Sequence, residues 1–131
     1  MARTEVGKAV YAMLNVSSVT TLCSTRIYPV IAPQDTIAPF VVFGIVSSIP
    51  TNTKDRISEL DTMRVQVDCY AKTYAGAEAL ASACRLAMDG QTGSKGGVQI
   101  DGVAYEMEED MIEEELDLFR KSMDFFIRVI Y

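Results

Sequence analysis

Apolar and polar residues alternate without a break from Met63 to Tyr70. Met63, Val65, Val67 and Cys69 fall on one side, and Arg64, Gln66, Asp68 and Tyr70 on the other. A period of two predicts a half-buried strand. The pattern then changes period. Thr73 caps a predicted helix from about Tyr74 to Asp89, whose stripe is Ala77, Leu80, Cys84 and Ala87 or Met88, and Gly90 ends it. An earlier helix runs from a Thr4 cap to about Leu14 with Val6, Val10, Met13 and Leu14 on one face, and Asn15 suits a left-handed end. Ser17 or Ser18 caps a short turn, SVTTLC, with Val19 and Leu22 expected inward.

The other segments are read from their breakers and their polarity. TRIYPVIAPQDTIAP holds Pro29, Pro33 and Pro39 and is expected to be an ordered, irregular arm. FVVFGIVSS, Phe40 to Ser48, is a predicted strand buried on both faces. IPTNTKDRISELD reads as a long polar loop, and long loops in small domains tend to carry function. QTGSKGG reads as a flexible connection. A third strand runs from Val98 to about Met107, with a turn or bulge at Asp101-Gly102. The last runs from about Leu116 to Tyr131, where Phe119, Met123, Phe125, Ile127, Val129 and Tyr131 alternate with Arg120, Ser122, Asp124 and Arg128. The expected fold is α+β: a four-stranded antiparallel or mixed sheet with two main helices packed on one face, in one domain spanning residues 1–131. The opposite face mixes charges with Tyr70, Phe126 and Ile130, and the lateral order of the strands stays open.

Composition narrows the chemistry. Twelve basic against eighteen acidic side chains give a net charge of −6, which argues against a dedicated nucleic-acid binder. Histidine is absent, which removes Ser-His and Cys-His catalysis and most zinc sites. Cys23, Cys69 and Cys84 form no CxxC pair; Cys69 and Cys84 lie at core-like phases and read as small buried hydrophobes rather than nucleophiles. MARTEVGKAVYAML breaks its apolar pattern with Arg3, Glu5 and Lys8, so a signal peptide is not expected and synthesis in the cytosol is. No apolar run is long enough for a membrane span.

The richest charged stretch is EMEEDMIEEELD, Glu106 to Asp117. Its carboxylates lack the setting of a glycosidase pair and the spacing of a calcium loop. They read first as a solvated acidic tip between two strands, and next as a contact surface or an electrostatic lining. GQTGSKGG fails as a phosphate loop: Lys95 is followed by Gly96, and a strand follows where a helix is required. Arg26, Arg56, Arg64, Arg120 and Arg128 are expected at a solvated or salt-bridged surface, and Tyr28, Tyr70 and Tyr74 at the core edge. No catalytic, cofactor-binding or metal-ligating residue is assigned.

Three segments, STRIYPVIAPQDTIAPFVVFGIVSS, RVQVDCYAKTYAGAEALASACRLAMDG and LFRKSMDFFIRVIY, stand in an order and spacing that resemble the tail-completion, or tail-terminator, proteins of long-tailed bacteriophages. The resemblance covers roughly Thr25 to Tyr131. Members commonly show an RIYP…AP arm, a V-Q-V-D-x-Y-A strand running into an alanine-rich helix, and a closing strand of the Y-R-x-x-x-D-F-x-I kind. Here Phe119 stands where tyrosine is frequent, and an unusually acidic run precedes it. The resemblance implies a structural virion protein without enzymatic activity, made in the host cytoplasm and placed in the neck region of the tail. It implies a ring, typically of six copies, that ends polymerisation of the tail tube and offers a surface for head-tail joining. The partners implied are further copies of the chain, the major tail tube protein, and a connector or stopper protein, with DNA passing through the lumen without specific binding. Partner contacts are then expected in the flanking loops, at Thr53, Lys54, Asp55 and Arg56 and at Glu108, Glu109 and Asp110. The alternatives are another neck protein, such as a head-completion or stopper ring, and a small cytosolic ligand-binding module or enzyme.

Overall fold

The computed structural model describes residues 5–52 and 57–130; the expected Thr4 cap and Tyr131 lie outside them. Helix α1, Val6–Leu14, buries Val6, Ala9, Val10, Met13 and Leu14, the spacing that puts one stripe against a core. Among the described residues no side chain caps its start, and Asn15 ends it with φ −82° rather than in the left-handed region. Helix α2, Ser17–Cys23, follows Val16 without a serine cap, and turns Val19 and Cys23 inward while Leu22 stays exposed. Helix α3, Tyr74–Met88, starts as expected: the Thr73 hydroxyl accepts the Gly76 N–H. It buries Ala77, Leu80, Ala81, Cys84 and Met88. Gly90 follows at φ +77° and donates its N–H to the Val103 carbonyl, tying the end of the helix to the sheet.

The α+β class holds, but among the described residues the sheet has six strands and three helices accompany it. The strands are β1 (Ile27–Pro29), β2 (Phe40–Asn52), β3 (Ile57–Ala71), β4 (Gly93–Lys95), β5 (Val98–Glu113) and β6 (Leu118–Ile130). Their lateral order is β1-β2-β3-β6-β5-β4. β1 lies parallel to β2 and every other pair is antiparallel, so the sheet is mixed. α1 packs on α3, β4 and β5, α2 on α3, and α3 on β3 and β6. The core between helices and sheet is built by period two: Val41 and Phe43 from β2, Met63 to Cys69 in alternation from β3, and Met123, Phe125, Ile127 and Val129 from β6. Full burial of a side chain such as Phe125 contributes about 1.5–3 kcal/mol. Cys69 and Cys84 meet at 3.8 Å between sulfurs, where small side chains let α3 lie close to β3.

The two extra strands come from segments without a strand pattern. The arm contributes β1 beside Val41–Phe43. QTGSKGG, expected to be flexible, forms β4 and a two-residue hairpin to β5, with Gly96 and Gly97 at φ +59° and +82°. Both signs are those of a type I′ turn, which glycine adopts without steric cost. Gly96 also lies against α1: a Cβ there would stand 2.5 Å from the Lys8 carbonyl oxygen. The expected loop after Ser48 is largely strand too, since Ile49 pairs with Thr62, Pro50 with Asp61 and Asn52 with Ile57. The bulge foreseen at Asp101-Gly102 is present, as a register shift between Ile100 and Gly102. A further shift between Tyr105 and Met107 precedes the acidic run, which continues β5 to Glu113.

Candidate functional site

Because β3 and β6 give their apolar sides to the helices, their other sides share the opposite face. Register sets Gln66 beside Asp124, Asp68 beside Ser122 and Tyr70 beside Arg120. Asp68, Ser122 and Asp124 are buried despite their polarity, and buried carboxylates require partners. Arg64 Nη2 donates to Asp124 Oδ2. Arg120 donates from Nη2 to Asp68 Oδ2 at 3.0 Å and from Nη1 to Glu113 Oε1 at 2.8 Å. Gln66 adds a bond to Asp68 Oδ1 at 3.1 Å. Two guanidinium groups against three carboxylates leave the middle of this face cross-braced, with one negative charge in excess.

Toward the start of β6 the same face turns apolar. Phe40 and Tyr70 stack with centroids 4.6 Å apart. They form a second small cluster with Val42 and Leu118, against which Tyr28, Ala32 and Ala38 pack. The Arg120 guanidinium lies 5.7 Å from the Tyr70 ring, and burial pushes the Tyr70 phenol up. Residues 30–38 pass over this cluster as a strap. The Val30 N–H donates to the Phe43 carbonyl at 2.7 Å, the Thr36 N–H and hydroxyl both donate to the Pro33 carbonyl, and Arg26 Nε donates to the Pro39 carbonyl at 3.0 Å. Val30 and Asp35 have φ of +67° and +64°. Strap and sheet enclose a cleft of about 720 Å³, floored by Phe40, Val42, Tyr70 and Leu118.

Of the expected contact residues, Glu108, Glu109 and Asp110 are among those described. Thr53, Lys54, Asp55 and Arg56 lie outside the described residues. Glu108, Glu109 and Asp110 are exposed, but they sit in the body of β5, paired with Met123, Ser122 and Lys121, and not at a hairpin tip. The tip is the turn at residues 114–117. Strand alternation sends Glu108 and Asp110 to the helix side and Glu109 to the other. On the helix side Lys121 Nζ stands 2.8 Å from Asp110 Oδ1 and 3.7 Å from Glu108 Oε2. The Tyr74 hydroxyl donates to Asp110 Oδ2 at 2.7 Å. Bonds from Lys121 and Tyr74 hold the Asp110 carboxyl below its usual range, and the Asp110 bond holds the Lys121 ammonium above its own. Sequence reading missed this triad, because Tyr74, Asp110 and Lys121 come from three elements. It also missed the cleft, whose one signal was apolar residues interleaved with prolines in a segment that builds neither helix nor core strand.

Among the described residues no group of three His, Cys, Asp or Glu side chains is placed to hold a metal ion. No helix among them is long and apolar enough to cross a membrane.

Residues 8–130 match the family described as Tail completion protein gp17. No curated protein matches the chain. Among solved structures, a chain from the virion of a native gene transfer agent particle is similar, with 19% sequence identity, a TM-score of 0.82, and 99% of this chain and 100% of that chain covered. At that identity the likeness is one of fold. The family match takes in all six strands and all of the three helices but the first two residues of α1. The chain therefore belongs to the tail completion protein gp17 family, structural proteins of the virion tail.

Proposed function

We propose that the chain acts as a tail terminator: a ring of six copies on the head-proximal end of the tail tube. The ring ends tube polymerisation and presents the surface to which a connector or stopper protein joins. The observation that carries the reading is the family match over residues 8–130. The sheet supports it. β1 covers β2 only at Val41–Phe43, and β4 covers β5 only at Val98–Ile100. Among the described residues, the outer sides of β2 beyond Gly44 and of β5 beyond Met107 have no strand beside them. Open borders invite pairing with another chain unless they are covered. Two different open borders suit a head-to-tail contact, which gives a ring when the rotation from copy to copy closes. Each copy contributes one domain and a charge of −6, so a ring holds DNA weakly and lets it slide through the lumen. The ring has no catalytic task in this scheme.

Particles assembled without the chain test the proposal. Tails of uncontrolled length, or full-length tails that fail to join heads, are the expected result in electron micrographs. Tails of normal length joined normally to heads overturn it. Native mass spectrometry of the purified chain or of isolated necks is expected to give six copies.

A further inference from the structure

The strap cleft has the features of a docking surface. Val30, Ile31 and Ile37 on the strap and Leu116 in the β5–β6 turn all line it, and they are 80%, 77%, 69% and 62% exposed. Single exposed apolar residues are ordinary on a protein surface, but four around one apolar-floored cleft are not. Val30 adds an independent sign. It is β-branched and is held at φ +67°, a conformation that costs about 1–3 kcal/mol. Its side chain, almost wholly in solvent, gains little inside the chain to offset that cost. The strain aims an apolar side chain outward.

The rim adds charge. Asp35 lines the cleft, and Glu114, Glu115 and Asp117 flank Leu116 in the same exposed turn. Among the described residues Lys72 is the one cation lining the cleft, and Glu113 is engaged by Arg120. An apolar floor under an acidic rim matches an apolar segment flanked by cations. A second copy of this chain, at −6, fits that rim poorly. We propose that the cleft between the strap and the sheet receives an apolar segment flanked by lysine or arginine from a different virion protein. This deepens the joining role above and rests on it.

A photo-crosslinking residue placed at Ile37 in assembling particles tests the proposal, with Leu86, 80% exposed on α3, as the comparison position. The expected result is a crosslink from Ile37, and not from Leu86, to a different virion protein through a peptide carrying apolar residues beside lysine or arginine. Its yield is expected to fall roughly tenfold, the equivalent of about 1.4 kcal/mol, in the triple variant Glu114→Gln, Glu115→Gln and Asp117→Asn. No crosslink, a crosslink only to another copy of this chain, or a partner peptide without basic residues overturns the proposal. Placing the same probe at Ile31 guards against a variant at Ile37 that fails to assemble. Tail length scored on the same particles keeps the terminator reading separate: normal tails with no cleft crosslink sink the cleft alone.

Discussion

Arg120 reaches Asp68 diagonally across the β3–β6 ladder, Nη2 to Oδ2 at 3.0 Å, although its register partner on β3 is Tyr70. Its other terminal nitrogen reaches the opposite way, to Glu113 on β5. One planar guanidinium therefore ties three strands, a geometry that the fork of arginine supplies and an ammonium does not.

Arg120→Leu is expected to destabilise the fold by about 2–3 kcal/mol, because Asp68 is left buried without its cation. Pairing it with Asp68→Asn is expected to recover part of that loss by removing the stranded charge. Arg120→Lys is expected to fall between the wild type and the leucine variant. Urea unfolding of the four proteins measures the series.

Glu109 and Asp110 are neighbours with opposite expectations. Glu109→Ser removes an exposed carboxylate that has no ion pair among the described residues, and is expected to leave the unfolding midpoint unchanged. Asp110→Ser removes the acceptor shared by Tyr74 and Lys121, and is expected to lower the midpoint. The Asp110 carboxyl is held below its usual range, so its contribution is present above the unfolded carboxyl's pKa and is lost as pH falls through the folded one. Thermal melts of both variants from neutral pH into acid are expected to differ at neutral pH and to converge once the pH lies below the folded carboxyl's pKa.

Gly96 and Gly97 form one turn but differ in what surrounds them. Gly97→Ala meets nothing within 4 Å and is expected to cost about 1–2 kcal/mol, from its positive φ alone. Gly96→Ala adds a contact at 2.5 Å with the Lys8 carbonyl oxygen. It is expected to cost distinctly more and to loosen β4 from α1. Equilibrium unfolding gives the two costs, and amide exchange across residues 93–100 reports the loosening.

The three thiols are buried and free. Burial, then the neighbouring Cys84, pushes the Cys23 thiol from 9.0 up to about 11. The hydrogen bond with Cys84, then burial, raises Cys69 as well. Between pH 9 and 11 the unfolded chain therefore binds fewer protons than the folded one, so stability is full below about pH 9 and falls as pH rises. Cys23→Ala is expected to make that alkaline decline shallower in urea titrations. In the native protein a thiol reagent is expected to label all three slowly, and in urea quickly.

Local pattern was enough for the elements that bury a side. The alternation in β3 and β6, the stripes of α1 and α3, the Thr73 cap and the bulge at Asp101-Gly102 are all legible, because each answers to a period or a turn preference within a few residues. Leu22 shows the limit of that reading: in a seven-residue helix one position of phase error exchanges it with Cys23.

What the chain alone determined is which faces must leave water; what the tertiary structure decided is which backbone groups find partners. Gly93–Lys95 and Ile49–Asn52 carry no apolar alternation, and they became strands because a neighbouring strand offered them a ladder at the right register. The acidic run became strand for the same reason, beside the start of β6. Its charges were legible, but the meeting of Asp110 with Lys121 was not. A slip of one residue would turn Asp110 to the other face, and only the packed sheet holds that register.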